Sequence, residues 1–239
     1  MSFFRHIPNV ITLGNLFCGT IATVFAVNGD FKYAAIFVLI GIGLDFFDGF
    51  FARLLNVSGE LGKQLDSLAD MVTSGVVPGV IMFKLIQINL LNGTKGISDN
   101  YFDISLIGFI ITLAACYRLA NFNIDTRQTD SFIGLPTPAM CLVVISLPII
   151  KESTTIEFVL DLLNNNYFLI TLTWVLSFLM NTEIRLFSLK IKNFSVSENW
   201  FLYLFIIISI ALILLFNFLA IPIIIILYVV TSIIKNLTS

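Results

Sequence analysis

The sequence predicts an all-α fold, a polytopic bundle of about eight transmembrane helices, and three observations carry that prediction. Of the 239 residues, 58% are hydrophobic and only 12% are charged, and the mean hydropathy of +0.98 lies well outside the range of soluble domains. Apolar runs recur at about the 17 to 25 residues that let a helix cross ~30 Å of hydrocarbon. The cations gather mainly in alternate connections rather than in all of them.

Taken in order, the apolar segments are 10–28, 33–55, 67–90, 104–121, 136–150, 167–181, 200–217 and 219–235. The fifth is short for a full crossing. The stretch before the first, Phe3-Phe4-Arg5-His6-Ile7-Pro8, mixes aromatic and cationic residues and ends at a proline, which suits a segment lying in the membrane interface or a frayed terminus. Most of the 24 Phe, and runs such as Ile223 to Ile226, need no role beyond facing lipid. With the N-terminus inside, nine of the 13 cations (Arg5, Arg53, Lys63, Arg118, Arg127, Arg185, Lys190, Lys192 and Lys235) are cytoplasmic and four (Lys32, Lys84, Lys95 and Lys151) are outside. The positive-inside rule then puts both termini in the cytoplasm. A single Arg before a long apolar run, with no convincing cleavage site, argues against a removed signal peptide. Cys18, Cys116 and Cys141 fall in apolar runs, without CxxC spacing and away from the single His6, so they read as small hydrophobes and make zinc and haem poor fits. The chain shows no repeats, low-complexity tracts or long linkers, so one membrane domain is expected.

Four acids break this apolar pattern. Asp45 and Asp48 lie in the second segment, and Asp66 and Asp70 lie in or at the edge of the third. An ionised carboxylate at mid-helix costs ~2.5–3.5 kcal/mol even on lenient insertion scales, so the four require a strong compensating interaction. Spacings of three and four put each pair on one helix face. A connection over 54–61, with Asn56, Ser58 and Gly59 as turn formers, makes the two helices antiparallel neighbours whose acids converge toward the cytoplasmic side. Arg53 and Lys63 cannot neutralise four like charges, so protons or cations must relieve them. Carboxylate oxygens are hard ligands suited to Mg²⁺, Mn²⁺ or Ca²⁺, and four suffice for two ions with positions left open for phosphate oxygens. Cation transport is the competing use of buried acids, but it wants them along a path to both faces, and these cluster toward one. Gly75 and Gly79 form a GxxxG pair that reads as helix packing. Gly49 and Gly62 instead flank the acids, where the lack of a side chain lets a nucleotide approach backbone.

Residues 45–70 read Asp45-Phe-Phe-Asp48-Gly49-Phe-Phe-Ala52-Arg53, eight residues, Gly62, three residues, Asp66, three residues, Asp70. This resembles the CDP-alcohol phosphotransferase signature, D-x2-D-G-x2-A-R-x8-G-x3-D-x3-D, at every specified position. Three further stretches are similar to one branch of that family, the CDP-diacylglycerol–serine O-phosphatidyltransferases (phosphatidylserine synthases). They are Ile7-Pro8-Asn9 with Thr12 and Asn15, Tyr117-Arg118-Leu119-Ala120-Asn121-Phe122-Asn123, and Phe132-Ile133-Gly134-Leu135-Pro136-Thr137-Pro138-Ala139. The likeness covers roughly residues 7–140. Asn121 stands where that branch usually carries a second cation.

The resemblance implies the CDP-alcohol phosphotransferase fold, with a catalytic six-helix core over 10–181, a C-terminal helix pair over 182–239 and an interfacial segment over 1–9. It implies transfer of a phosphatidyl group from CDP-diacylglycerol to L-serine with release of CMP. The setting would be a bacterial-type inner membrane, with a homodimer whose active site faces the cytoplasm and no nucleic acid among its partners. By the same resemblance, Asp45, Asp48, Asp66 and Asp70 bind two divalent cations, Mg²⁺ or Mn²⁺, and Asp70 also serves as general base. Gly49, Ala52, Arg53 and Gly62 contact the CDP moiety. Asn9, Thr12 and Asn15 complete the nucleotide pocket, although hydrogen bonding between helices explains them almost as well. Arg118, Asn121 and Asn123 are the acceptor-binding candidates, Arg being the natural partner of a carboxylate; the alternative for Arg118 is an interfacial anchor that snorkels. Glycerol 3-phosphate and inositol phosphate are the rival acceptors. A doubly charged phosphate wants a cluster of cations, and Arg118 and Arg127 alone disfavour it.

Overall fold

The computed structural model describes residues 6–55, 57, 59–93, 104–125, 132–187 and 196–238. Arg5 and the rest of 1–5, the turn residues Asn56 and Ser58, and the cations Lys95, Arg127, Lys190 and Lys192 lie outside the described residues. Helix α1 (Ile7–Asn28) starts with Pro8 in its first turn, where the missing N–H costs nothing, and stops at Gly29. Gly29 takes the left-handed conformation (φ 86°) and donates its N–H to the Ala26 carbonyl at 3.1 Å, the conformation that glycine adopts without a Cβ penalty. The chain reverses at once into α2 (Phe31–Leu54). Phe25 packs on Tyr33 and Phe37 across this hairpin, at 5.4 and 5.7 Å between ring centroids.

A second reversal leads into one long helical rod built of α3 (Glu60–Asp70), a π-helical turn (Met71–Val76) and α4 (Val77–Gly93). This rod is the centre of the bundle: 61% of its apolar window is buried, against 6% for the C-terminal stretch 199–236. Ile81, Met82 and Ile86 of α4 are fully buried, as are Met140, Cys141 and Val144 further along the chain. A 3-10 turn (Leu106–Phe109) runs into α5 (Ile110–Ile124), and α6 (Thr137–Ser153) follows, with Pro138 near its start and Pro148 inside it. Helix α7 (Glu157–Asn164) and α8 (Asn166–Asn181) meet at a 78° bend. The Asn165 carboxamide oxygen caps α8 by accepting from the Tyr167 and Phe168 N–H groups at 2.9 and 3.4 Å.

The last apolar stretch is a hairpin, α9 (Val196–Phe216) and α10 (Ala220–Thr238), reversed at Asn217, which has φ 49°. Phe205 lies 5.8 Å from Tyr228, and Lys235 stands over the Phe201 ring at 5.5 Å. Residues far apart in sequence thus meet, as an antiparallel pair requires. The hairpin grips the rest of the chain through a short strand pair, β1 (Phe132–Ile133) with β2 (Arg185–Leu186). Asn236 Nδ2 donates to the Arg185 carbonyl at 2.7 Å, Tyr228 OH donates to the Phe187 carbonyl at 2.8 Å, and the Phe187 N–H donates to Ser232 Oγ at 3.3 Å. On the other side of the pair, the Gly134 and Leu135 N–H groups donate to the Ile184 and Leu179 carbonyls at 2.9 and 2.8 Å.

All eight expected apolar segments are helical, and the chain is an integral membrane protein of helical fold. Among the described residues, five helical stretches are long and apolar enough to cross a membrane, or six with the bent pair counted as one span. Helix α6, at 17 residues, stands at the short end of the spanning range, in keeping with the short fifth segment. Several boundaries move, and for one reason: hydropathy marks where polar residues begin, not where backbone hydrogen bonding stops. The first segment starts at Ile7 rather than 10, so residues 7–9 are the first turn of α1. The third segment starts at Glu60 rather than 67, the fourth runs to Ile124 rather than 121, and the fifth runs to Ser153 rather than 150.

Small residues set the close approaches. A Cβ on Gly75 would lie 3.2 Å from Ala115 Cβ, and one on Gly79 would overlap Thr112 Oγ1, so the GxxxG pair faces α5. At Gly108 a Cβ would meet backbone, 2.8 Å from Phe83 Cα and 2.9 Å from the Met82 carbonyl carbon. Backbone cannot step aside as a rotamer can. Gly108→Ala is therefore expected to lower stability by roughly 1–3 kcal/mol, the usual cost of overpacking, read as a lower thermal unfolding midpoint in detergent. Gly43→Ala, with nothing within 4 Å of the new Cβ, should leave the midpoint unchanged or raise it.

Candidate active site

The two reversals bring the ends of three helices together: the start of α1, the end of α2 and the start of α3. Asp45 and Asp48 point from α2 and Asp66 from α3, and one carboxylate oxygen of each lies within 4.8 Å of the others. Asp48 is buried, and Asp45, Asp66 and Asp70 are half-buried. Asp70, one helical turn beyond Asp66, stands outside this triad but within electrostatic reach of it.

Helix α1 supplies a polar partner to each acid pair. Thr12 Oγ1 lies 2.5 Å from Asp48 Oδ2 and 3.0 Å from the Pro8 carbonyl. Its single proton goes to the carboxylate when Asp48 is ionised, because charged acceptors make the stronger bond. Three residues on, and so on the same face, Asn15 Nδ2 donates to Asp70 Oδ1 at 3.2 Å. Asn15 is fully buried, and Thr73 Oγ1 donates to its Oδ1 at 2.8 Å.

Beside the triad is a cavity of about 280 Å³, lined by Pro8, Asn9 and Thr12 of α1, Asp48, Gly49, Ala52 and Arg53 of α2, Val57 and Gly59 of the connection, and Gly62, Lys63 and Asp66 of α3. It gathers six of the seven residues singled out for the CDP-lipid. The seventh, Asn15, is not on its wall; it lies deeper, at Asp70. A Cβ on Gly49 would meet nothing within 4 Å, and one on Gly62 only Asn9 Oδ1 at 3.5 Å. These glycines keep the cavity open rather than letting helices touch, unlike Gly75 and Gly79.

The three acceptor candidates on α5 part company. Arg118 is 7% exposed, faces Asp70, and leaves its Nε without a hydrogen-bond partner. A guanidinium buried to this degree does not snorkel. Asn121 is exposed at the surface of the helix end. Asn123 ties α5 to α3: its Nδ2 donates to Ser67 Oγ at 2.8 Å, and its backbone carbonyl accepts from Lys63 Nζ. Lys63, Thr73 and Ser67 were not among the candidates. The family signature fixes only its invariant positions, and Lys63 stands one place past Gly62, where any residue is allowed. Thr73 had no signal beyond being a polar residue in an apolar run.

The donor set fits a hard divalent cation. Three carboxylates converge from two helices, a fourth lies close by, and no thiol or imidazole is among them. Mn²⁺ binding measured by electron paramagnetic resonance should be lost or weakened in Asp45→Asn and in Asp66→Asn by more than the roughly 10–100-fold typical of outer partners. Asp161→Asn, on α7, should bind as the unaltered protein does.

Comparison with known proteins gives a consistent result. Residues 5–179 match the family model of the CDP-alcohol phosphatidyltransferases. A Bacillus subtilis protein named CDP-diacylglycerol–serine O-phosphatidyltransferase is 36% identical over 148 residues, covering 59% of this chain and 76% of that one. A Helicobacter pylori protein of the same name is 34% identical over 140 residues, covering 58% of this chain and 55% of the relative. An archaetidylserine synthase of Methanothermobacter thermautotrophicus is 27% identical over 146 residues, covering 60% of this chain and 58% of the relative. The match therefore spans little more than half the length of the last two.

Proposed function

Because this chain belongs to the CDP-alcohol phosphatidyltransferase family, we propose that it transfers a phosphatidyl group from CDP-diacylglycerol to L-serine, giving phosphatidylserine and CMP. The observation that carries this reading is the cavity in which Gly49, Ala52, Arg53 and Gly62 share one wall with Asp48 and Asp66. It offers a nucleotide a place beside the acids, while the acyl chains stay in the bilayer.

In the reaction, the serine hydroxyl oxygen bonds to the phosphorus that carries diacylglycerol. The P–O bond to the CMP phosphate breaks, and CMP leaves with the bridging oxygen. The hydroxyl proton passes to Asp70, whose Oδ1 is held by Asn15 Nδ2, so Oδ2 is the oxygen to take it. Asp45, Asp48, Asp66 and Asp70 would hold two divalent cations, Mg²⁺ or Mn²⁺, which would supply Lewis-acid neutralisation of the charge that develops during the transfer. Arg53 and Lys63, on the cavity wall, add positive charge toward the CDP phosphates, and Asn9 and Thr12 border the nucleotide. Arg118, buried with an unpaired Nε beside Asp70, takes the serine carboxylate and so points the hydroxyl at the base. A phosphate-bearing acceptor such as glycerol 3-phosphate or inositol phosphate would need more than this one guanidinium.

The same reading places the site and both termini on the cytoplasmic side of a bacterial-type inner membrane, supported by the bias of the cations. It takes the protein as a homodimer, supported by family resemblance. The catalytic core is 10–181, supported by the extent of the family match, with 182–239 as an added helix pair.

The decisive experiment offers purified protein CDP-diacylglycerol and Mn²⁺ or Mg²⁺ with serine, glycerol 3-phosphate, inositol or inositol phosphate, and measures CMP. Release is expected with serine; release with another acceptor and none with serine would overturn the substrate assignment. Arg118→Ala should raise KM for serine by about 10–100-fold, the worth of a hydrogen-bonded charge, with KM for CDP-diacylglycerol little changed. Gly49→Val should do the reverse, because a Cβ there meets no protein atom within 4 Å and the branched side chain takes up room in the nucleotide cavity.

A further inference from the structure

The π-helical turn begins at the residue after Asp70, and turns of this kind are frequent at functional sites. Its third residue, Thr73, is fully buried and reaches Asp70 through one intermediary, Asn15. We propose that the Thr73 hydroxyl is a positioning group for the acid cluster: it fixes the Asn15 amide so that the NH₂, and not the carbonyl, faces Asp70. This rests on the reading of Asp70 as metal ligand and base given above.

An asparagine amide has a donor end and an acceptor end of nearly the same shape, so its neighbours decide which way it points. A carboxylate only accepts, and a carbonyl turned toward it would repel it. Thr73 Oγ1 lies 2.8 Å from Asn15 Oδ1 and 3.2 Å from the Asn15 backbone carbonyl. By donating to Oδ1 it sends the NH₂ to Asp70. Both Asn15 and Thr73 are 0% exposed, so water cannot take the place of either partner, and an unpaired end carries its full desolvation cost.

The surroundings are shaped for this pair. A Cβ on Gly41 would sit 2.8 Å from Asn15 Oδ1 and 2.9 Å from Thr73 Cγ2, and one on Gly19 would overlap Thr73 itself. Helices α1 and α2 therefore each give up a side chain where the two polar groups pass between them. From α6, Cys141 Sγ lies 3.6 Å from the Thr73 carbonyl and backs the turn.

The test compares the unaltered protein with Thr73→Val, Thr73→Ala and Thr73→Ser in lipid nanodiscs. Three properties are read: Mn²⁺ affinity by electron paramagnetic resonance, CMP-release kinetics, and the unfolding midpoint without metal. Val keeps the shape and removes the donor. Mn²⁺ affinity and kcat should both fall about 10–100-fold, the range for groups that orient a metal ligand. KM for CDP-diacylglycerol should stay within about twofold, because only ground-state binding would move it. Ala should behave as Val does, and serves in its place if Val does not fold. Ser keeps the hydroxyl and should restore both values to near those of the unaltered protein. Normal Mn²⁺ affinity and kcat in Val and Ala would overturn the proposal. So would a Ser variant as impaired as Val, since the hydroxyl would then be present without supporting the site. If the unaltered protein releases no CMP, the reading of the reaction fails, while the Mn²⁺ affinities of the variants still decide the role of Thr73.

Discussion

Like-charge repulsion inside a membrane protein is the constraint around which this structure is arranged. Asp45, Asp48 and Asp66 bring oxygens within 4.8 Å of one another, and at an effective dielectric of ~20 each ionised pair at that distance costs ~3 kcal/mol. No described cation pairs with the triad closely enough to cancel this. Arg118 faces Asp70 from the other side, and Arg53 and Lys63 stand on the cavity wall. The arrangement instead keeps the acids together through Thr12 and Asn15 of α1 and leaves an open cavity beside them. A fold that only needed to bury carboxylates would separate them; this one concentrates them where hard cations and phosphate oxygens have access.

Other parts of the molecule serve that concentration. The left-handed Gly29 turns α1 back against α2, so that Thr12 and Asn15 come level with Asp48 and Asp70. Asn123 and Lys63 lash α5 to α3, which sets Arg118, five residues earlier on α5, against Asp70. Among the described residues, the C-terminal hairpin packs chiefly on α6 and on the Arg185–Leu186 strand rather than on the helices that carry the acids. Through Asn236, Tyr228 and Ser232 it holds the 185–187 segment, and that segment pairs with the strand that leads into α6. Its remaining surface, with Ile207, Leu214 and Leu215 exposed, is apolar, as a lipid-facing surface requires.

Much of this was legible in the sequence, and what was not has a physical reason. Helix count follows from apolar run length because the bilayer permits few alternatives, and the acid pairs follow from spacings of three and four on one face. The helix ends were less legible: Glu60–Asp70 is polar enough to resemble a connection, yet it is the continuation of a buried rod. Helix α7 could not be foreseen from hydropathy, because it is short and meets α8 at 78°. At the site, Asn9, Thr12, Gly49, Ala52, Arg53 and Gly62 line one cavity, and Asn15 does not. An asparagine one turn past a pocket residue looks the same in sequence whether it meets a nucleotide or a neighbouring carboxylate. Thr73 was invisible because its place depends on the π turn, and no spacing rule announces one.

The account stands or falls on divalent cations holding the aspartates together. The most direct measurement is the anomalous scattering of a crystal grown with Mn²⁺, recorded at the manganese edge. The account predicts peaks between the carboxylates of Asp45, Asp48 and Asp66, with Asp70 drawn into the coordination. Absence of any peak there, with the four side chains turned into separate surroundings, would contradict it.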